Sequence, residues 1–122
     1  MVIHRSVCGR LDRLSLWFTD LCETTVADQK CRLLFHLGEH VTAVWEADGY
    51  TLSSPLSPLQ LRLIVSGNYP SRVYVGAGDP TQTETLFGWS ATGFLRLESI
   101  TTIVYEVPAQ TVVSWSLTAS DH

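Results

Sequence analysis

From residue 59 to residue 117 the chain is a succession of short stretches in which apolar and polar residues alternate, separated by turn formers. A period of two is the signature of strands with one buried face, and it is incompatible with the 3.6-residue stripe of an amphipathic helix. Leu59, Leu61, Leu63 and Val65 share one face of the first stretch, and Val113, Trp115 and Leu117 share one face of the last. Between them, 72–75, 94–97 and 103–107 read as strands, with Ser66-Gly67-Asn68-Tyr69-Pro70 as a turn and Pro108-Ala109-Gln110 as the link of a closing hairpin. No helix-length amphipathic segment intervenes. The pattern therefore predicts an all-β domain, an antiparallel β-sandwich or small barrel.

The first half carries a weaker version of the same pattern. Residues 11–21 fit a helical stripe through Leu14, Trp17, Phe18 and Leu21, and an alternation through Leu14, Leu16 and Phe18, and we read them as strand because of their neighbours. Residues 31–37 and 40–46 read as a hairpin turning at Gly38-Glu39, with Val41, Ala43 and Trp45 on one face. Composition changes near residue 50: the first 50 residues hold 12 of the 20 charged side chains, and all five prolines come later. We divide the chain into an N-terminal strand and attachment segment, 1–50, and a sandwich portion, 51–122, of the same single domain. Asp48-Gly49 and the Ser-Pro steps that follow are expected to form a connection anchored by Tyr50, Leu52 and Leu56.

At 122 residues with 45% hydrophobic and 16% charged side chains, the chain can bury a core without staples. A net charge of -4, with Lys30 and seven arginines as its basic residues, opposes direct nucleic-acid binding, which draws its affinity from many phosphate contacts. No run approaches the roughly 20 apolar residues that cross a bilayer, nor an h-region of a signal peptide, so no membrane association and synthesis in a cytoplasm are expected. Cys8, Cys22 and Cys31 are odd in number and do not form a disulfide framework, which predicts reduced, partly buried thiols.

Several strings invite a chemical reading. His36-Leu37-Gly38-Glu39-His40 spells the H-x-x-E-H of one class of zinc proteases, but that chemistry needs a long helix, and here glycine sits among strand-like runs. Cys22, Cys31, His36 and His40 could hold a structural zinc, yet neither cysteine belongs to a C-x-x-C knuckle. Residues 75–81 begin like a dinucleotide fingerprint, but Thr81 replaces the third glycine and no helix follows. No Gly-x-Ser-x-Gly elbow is present. We therefore expect no enzyme, metal or cofactor. Trp45 and Trp115 are expected in the core, whereas Trp89, with Phe87, lies in a long excursion where an aromatic either plugs the sandwich or meets a partner.

The run Leu61-Arg62-Leu63-Ile64-Val65, the turn with Asn68, the step Arg72-Val73-Tyr74-Val75-Gly76, then Gly93-Phe94-Leu95-Arg96-Leu97 and the final strand pair together resemble a β-sandwich module of tailed-bacteriophage structural proteins. Such modules occur in head decoration proteins, head fibres and tail components. The resemblance spans residues 59–118, and Asp79-Pro80 with Phe87-Gly88-Trp89 makes the middle loop bulkier than the pattern. It implies a virion protein without catalysis that decorates or joins head or tail by homo-oligomeric packing, as a trimer in preference to other states, against other phage head or tail proteins. Candidate partner contacts are Tyr69, Tyr74, Asp79, Phe87 and Trp89. The competing expectation is a carbohydrate- or receptor-binding module in which Tyr69, Tyr74 and Trp89 offer flat rings to sugars.

Overall fold

A computed structural model describes residues 2–10, 15–23, 30–76, 87–93 and 96–121. Every regular element among them is a strand: β1 (Val2–Arg10), β2 (Ser15–Glu23), β3 (Lys30–His36), β4 (Thr42–Glu46), β5 (Gly49–Ser53), β6 (Leu59–Val65), β7 (Ser71–Val75), β8 (Trp89–Gly93), β9 (Arg96–Ser99), β10 (Thr101–Pro108) and β11 (Val112–Asp121). A six-stranded sheet runs in the order β1-β2-β11-β6-β5-β4, a three-stranded sheet in the order β3-β10-β7, and β8 pairs with β9. All pairings are antiparallel. The two larger sheets pack as a β-sandwich.

The alternating residues meet in the middle. Tyr50, Leu52, Leu63, Val65, Val113 and Trp115 from the large sheet close on Cys31, Ile103, Tyr105 and Val107 from the small one, and Leu63 and Ile103 lose all contact with solvent. Their burial is the main favourable term in the fold, since each large apolar side chain removed from water contributes roughly 1.5–3 kcal/mol. Aromatic rings fix the spacing between sheets. Phe18 stacks on Trp115 at 3.9 Å, and Phe35 meets the edges of Trp115 and Tyr105 at 4.7 and 6.2 Å.

The stretch 59–65 forms the strand that alternation predicts, and the ambiguous N-terminal run becomes β2 from Ser15 onward. Three expectations are corrected. Neither expected hairpin forms: β3 lies in the small sheet and β4 in the large one, and likewise β10 and β11, so both turns carry the chain between layers. Each crossing contains a non-glycine residue in the left-handed region, His40 at φ 63° and Gln110 at φ 63°. The expected connection after Asp48 is instead β5, reached through a two-residue turn at Ala47-Asp48 with Ala47 at φ 56°. Gly49 is then required for close packing, because a Cβ there would lie 2.3 Å from the Leu63 carbonyl oxygen. Finally, Cys31 is not a free thiol but disulfide-bonded, and Cys8 and Cys22 are the only other cysteines in the sequence.

Candidate interaction surface

Phe87 and Gly88, which precede β8, lie against the outer side of the small sheet. Thr102 and Val104 point away from the main core, yet both are buried. Gly88, at φ 89°, donates its N–H to Thr102 Oγ1 at 3.0 Å and accepts the Ile100 N–H at 2.8 Å. A Cβ at this position would meet the Gly76 nitrogen at 2.7 Å, so only glycine lets the segment lie this close. Thr102 Oγ1 also contacts His36 Nδ1 at 3.1 Å. The clamp sets the Phe87 ring against Tyr74, 5.3 Å between centroids, and under the Arg32 guanidinium at 5.9 Å.

Two of the sequence-predicted contact residues, Tyr74 and Phe87, are thus brought together, both half-buried. Tyr69 is elsewhere, packed against the main core beside Gly67, whose Cβ position would collide with its ring at 2.5 Å. Trp89 opens β8, opposite Ser99. Asp79 lies outside the described residues, as does the glycine-rich string that follows Gly76. The H-x-x-E-H string is not helical: His36 ends β3 and His40 sits in a left-handed turn. Trp115 is buried as expected, but Trp45 is 54% exposed. It shares a face with Val41 and Ala43 and meets Tyr50 at 5.0 Å, but β4 is the outermost strand of a sheet twice as wide as its partner.

The outer face of the large sheet is a broad surface of hydroxyls with isolated apolar residues. Register places Trp17 beside Ser116 and Ile64 in one row, and Leu21 beside Val112 in another. Trp17 is 43% exposed, Val112 57% and Val44 53%. Arg62 is the charged anchor of this face: it donates to Thr51 Oγ1 and Asp48 Oδ1, both at 3.0 Å, and to the Glu46 carbonyl. One side chain therefore ties β6 across β5 to the β4–β5 turn.

An ion pair that alternation alone would not reveal stands on the core face of the large sheet. Asp20, only 7% exposed, accepts bonds from Arg5 Nε at 2.6 Å, Arg5 Nη2 at 2.9 Å and Trp115 Nε1 at 2.8 Å. Burial pushes its carboxyl up, but the bonds from Arg5 and Trp115, with the Arg5 charge, outweigh that and hold it below the ordinary carboxylate value. The Arg5 guanidinium also lies over the Phe18 and Trp115 rings, 5.8 and 5.7 Å from their centroids. A cavity of about 250 Å³ adjoins the pair, lined in part by Cys31, Leu33, Val107 and Val113. Arg5 and Trp115 both bond Asp20, so the pair reads as a rivet for β1, β2 and β11.

No family model, curated protein or solved structure matches the chain.

Proposed function

We propose that this chain is a non-enzymatic structural component of a tailed-phage particle, decorating or joining head or tail through packing of its sandwich against further copies and neighbouring virion proteins. The assignment to a phage particle rests on the sequence resemblance of residues 59–118. The observation that supports assembly is the large sheet itself: Trp17, Val44 and Val112 stand exposed on its outer face, and Leu16 and Trp45 stand exposed on its core face. Apolar side chains in a Ser/Thr-rich surface of low charge suit lateral contacts, which are depleted of charge and enriched in aromatics. Static light scattering of the purified protein over a range of concentrations tests this reading. A stable homo-oligomer is expected; a monomer at the highest attainable concentration overturns it.

A second reading draws on Trp17 alone. Its indole lies on a flat strand face beside Ser116, with Thr19 and Ser114 also exposed, an arrangement in which a ring could stack on a sugar while hydroxyls bond its edge. Glycan-array binding that disappears in Trp17→Ala, without change in mass, would favour this carbohydrate- or receptor-binding role.

A further inference from the structure

The four outermost strands of the packed sheets are not alike. β1 carries Arg5, β3 carries Lys30 and Arg32, and β7 carries Arg72, whereas β4 reads Thr-Ala-Val-Trp-Glu, with no basic residue and no proline. Basic side chains, prolines and bulges are the usual guards against edge-to-edge pairing. β4 is the outer strand without a basic residue, its one charge, Glu46, stands at its end, and its pairing with β5 runs without a bulge. Its geometry is also firmly set, because Arg62 holds the adjoining turn and Thr42 Oγ1 contacts Ser53 Oγ at 3.2 Å.

Which backbone groups face outward follows from the turn. In a two-residue hairpin the closing pair, here Glu46 and Gly49, is hydrogen-bonded, and bonded pairs then alternate with non-bonded ones. Val44 opposite Thr51 and Thr42 opposite Ser53 are therefore bonded pairs. The N–H and C=O groups of Ala43 and Trp45 point away from β5, and among the described residues they have no other backbone partner.

We propose that β4 is the seam of a two-fold homodimer, in which Thr42–Glu46 pairs antiparallel with the same strand of a second copy about an axis through Val44. The inference rests on the homo-oligomeric reading above and names its interface. With the axis at Val44, Ala43 exchanges both backbone bonds with Trp45 of the second copy and Trp45 does the same with Ala43, so every outward group within the strand is used. The side chains are self-complementary in this register. On the core face the large indole falls opposite a methyl group; on the outer face Thr42 falls opposite Glu46 and Val44 opposite itself, with the two Glu46 carboxylates at opposite ends. An axis at Trp45 would set indole against indole and pair Ala43 with Ala47, a left-handed turn residue. An axis at Ala43 would pair Trp45 with Val41, outside the strand. The dimer has a continuous twelve-stranded sheet, and a contact of this isologous kind closes on itself, so any trimer must be built through another surface.

Two variants test the seam. Val44→Lys places like charges across the axis and should halve the mass seen by light scattering, with the far-ultraviolet circular dichroism unchanged because residue 44 is exposed in the single chain. Val44→Cys puts two thiols in a non-bonded antiparallel pair, where Cα atoms lie about 4.5 Å apart, close enough for a disulfide. Under mild oxidation it should give a band at twice the chain mass on a non-reducing gel. Thr42→Cys, roughly 13 Å from its own copy in this register, should resemble the unsubstituted protein. An oligomer whose mass survives Val44→Lys, or a Val44→Cys variant that links no faster than Thr42→Cys, overturns the seam while leaving homo-oligomerisation standing. A protein that is monomeric throughout overturns both.

Discussion

Replacing Asp20 by alanine isolates the energetic role of the Arg5–Asp20–Trp115 rivet. The substitution removes three accepted hydrogen bonds at once and leaves the Trp115 N–H, in a residue 7% exposed, without its partner. Stranding a buried donor costs about 1–3 kcal/mol. Arg5 adds less than a fully buried partner would, because its side chain is 49% exposed and can turn toward water. Loss of the carboxylate's packing and of its bonds to the guanidinium brings the expected total to about 3 kcal/mol, toward the lower end of what breaking a buried pair costs. For a domain of this size that is a fall of about 10 °C in thermal midpoint, readable by circular dichroism, with a change in Trp115 fluorescence. Arg5→Met leaves the buried Asp20 carboxylate with the Trp115 bond alone, so it should cost a comparable amount, about 3 kcal/mol. The pH dependence has a defined sign. A carboxyl held below its ordinary value in the fold releases a proton more readily there than in the unfolded chain. Its stabilisation is thus complete above about pH 4, the unfolded value, and is lost as pH falls through the folded value. Asp20→Ala should lack this acid-limb dependence. A variant within about 0.5 kcal/mol of the parent at neutral pH would refute the rivet, since that is the range of surface substitutions.

Other outcomes follow from single residues. Gly49→Ala should destabilise by about 1–3 kcal/mol in urea unfolding, because its methyl group must displace the Leu63 backbone, whereas Gly38→Ala, whose nearest new neighbour is Val41 Cγ2 at 3.9 Å, should stay within about 0.5 kcal/mol. Tyr105 should be among the last tyrosines to ionise in an ultraviolet titration: burial, and after it the neighbouring Tyr50 charge, push it up to about 12 against the opposing bond from Ser71. Because the unfolded tyrosine ionises near pH 10, stability should decline between about pH 10 and 12, a slope that Tyr105→Phe should remove.

Alternation was sufficient to place β6 and to identify the all-β class, because a strand with one buried face writes its period directly into its residues. It says nothing about which strand lies alongside. The turns at Gly38-Glu39 and Pro108-Ala109-Gln110 have hairpin-like lengths, and the left-handed conformations of His40 and Gln110 accompany their passage between layers. Trp45 obeys its period and still meets solvent, since the sixfold width of one sheet against the threefold width of the other is a property of the assembled strands. The Asp20 rivet joins residues 15 and 95 positions apart, so its sole local trace is a carboxylate on an otherwise apolar face. At the aromatic cap, Tyr74 and Phe87 could be singled out by type, but Gly88, which locks them to Thr102, reads in sequence as one more turn glycine.

The place of β11 between β2 and β6 gives the chain a particular order of assembly. On a ribosome, β1–β2 and β4–β5–β6 can each form soon after they emerge, but they are two separate ribbons with no hydrogen bond between them until β11 arrives to fill the gap. Trp115, the ring on which Phe18, Phe35 and Arg5 converge, comes with it. Both ribbons must wait, with two unpaired strand margins facing each other across a missing strand, and such waiting states are slow to resolve and open to capture by other chains. Loss of β11 should therefore not trim the sheet but divide it.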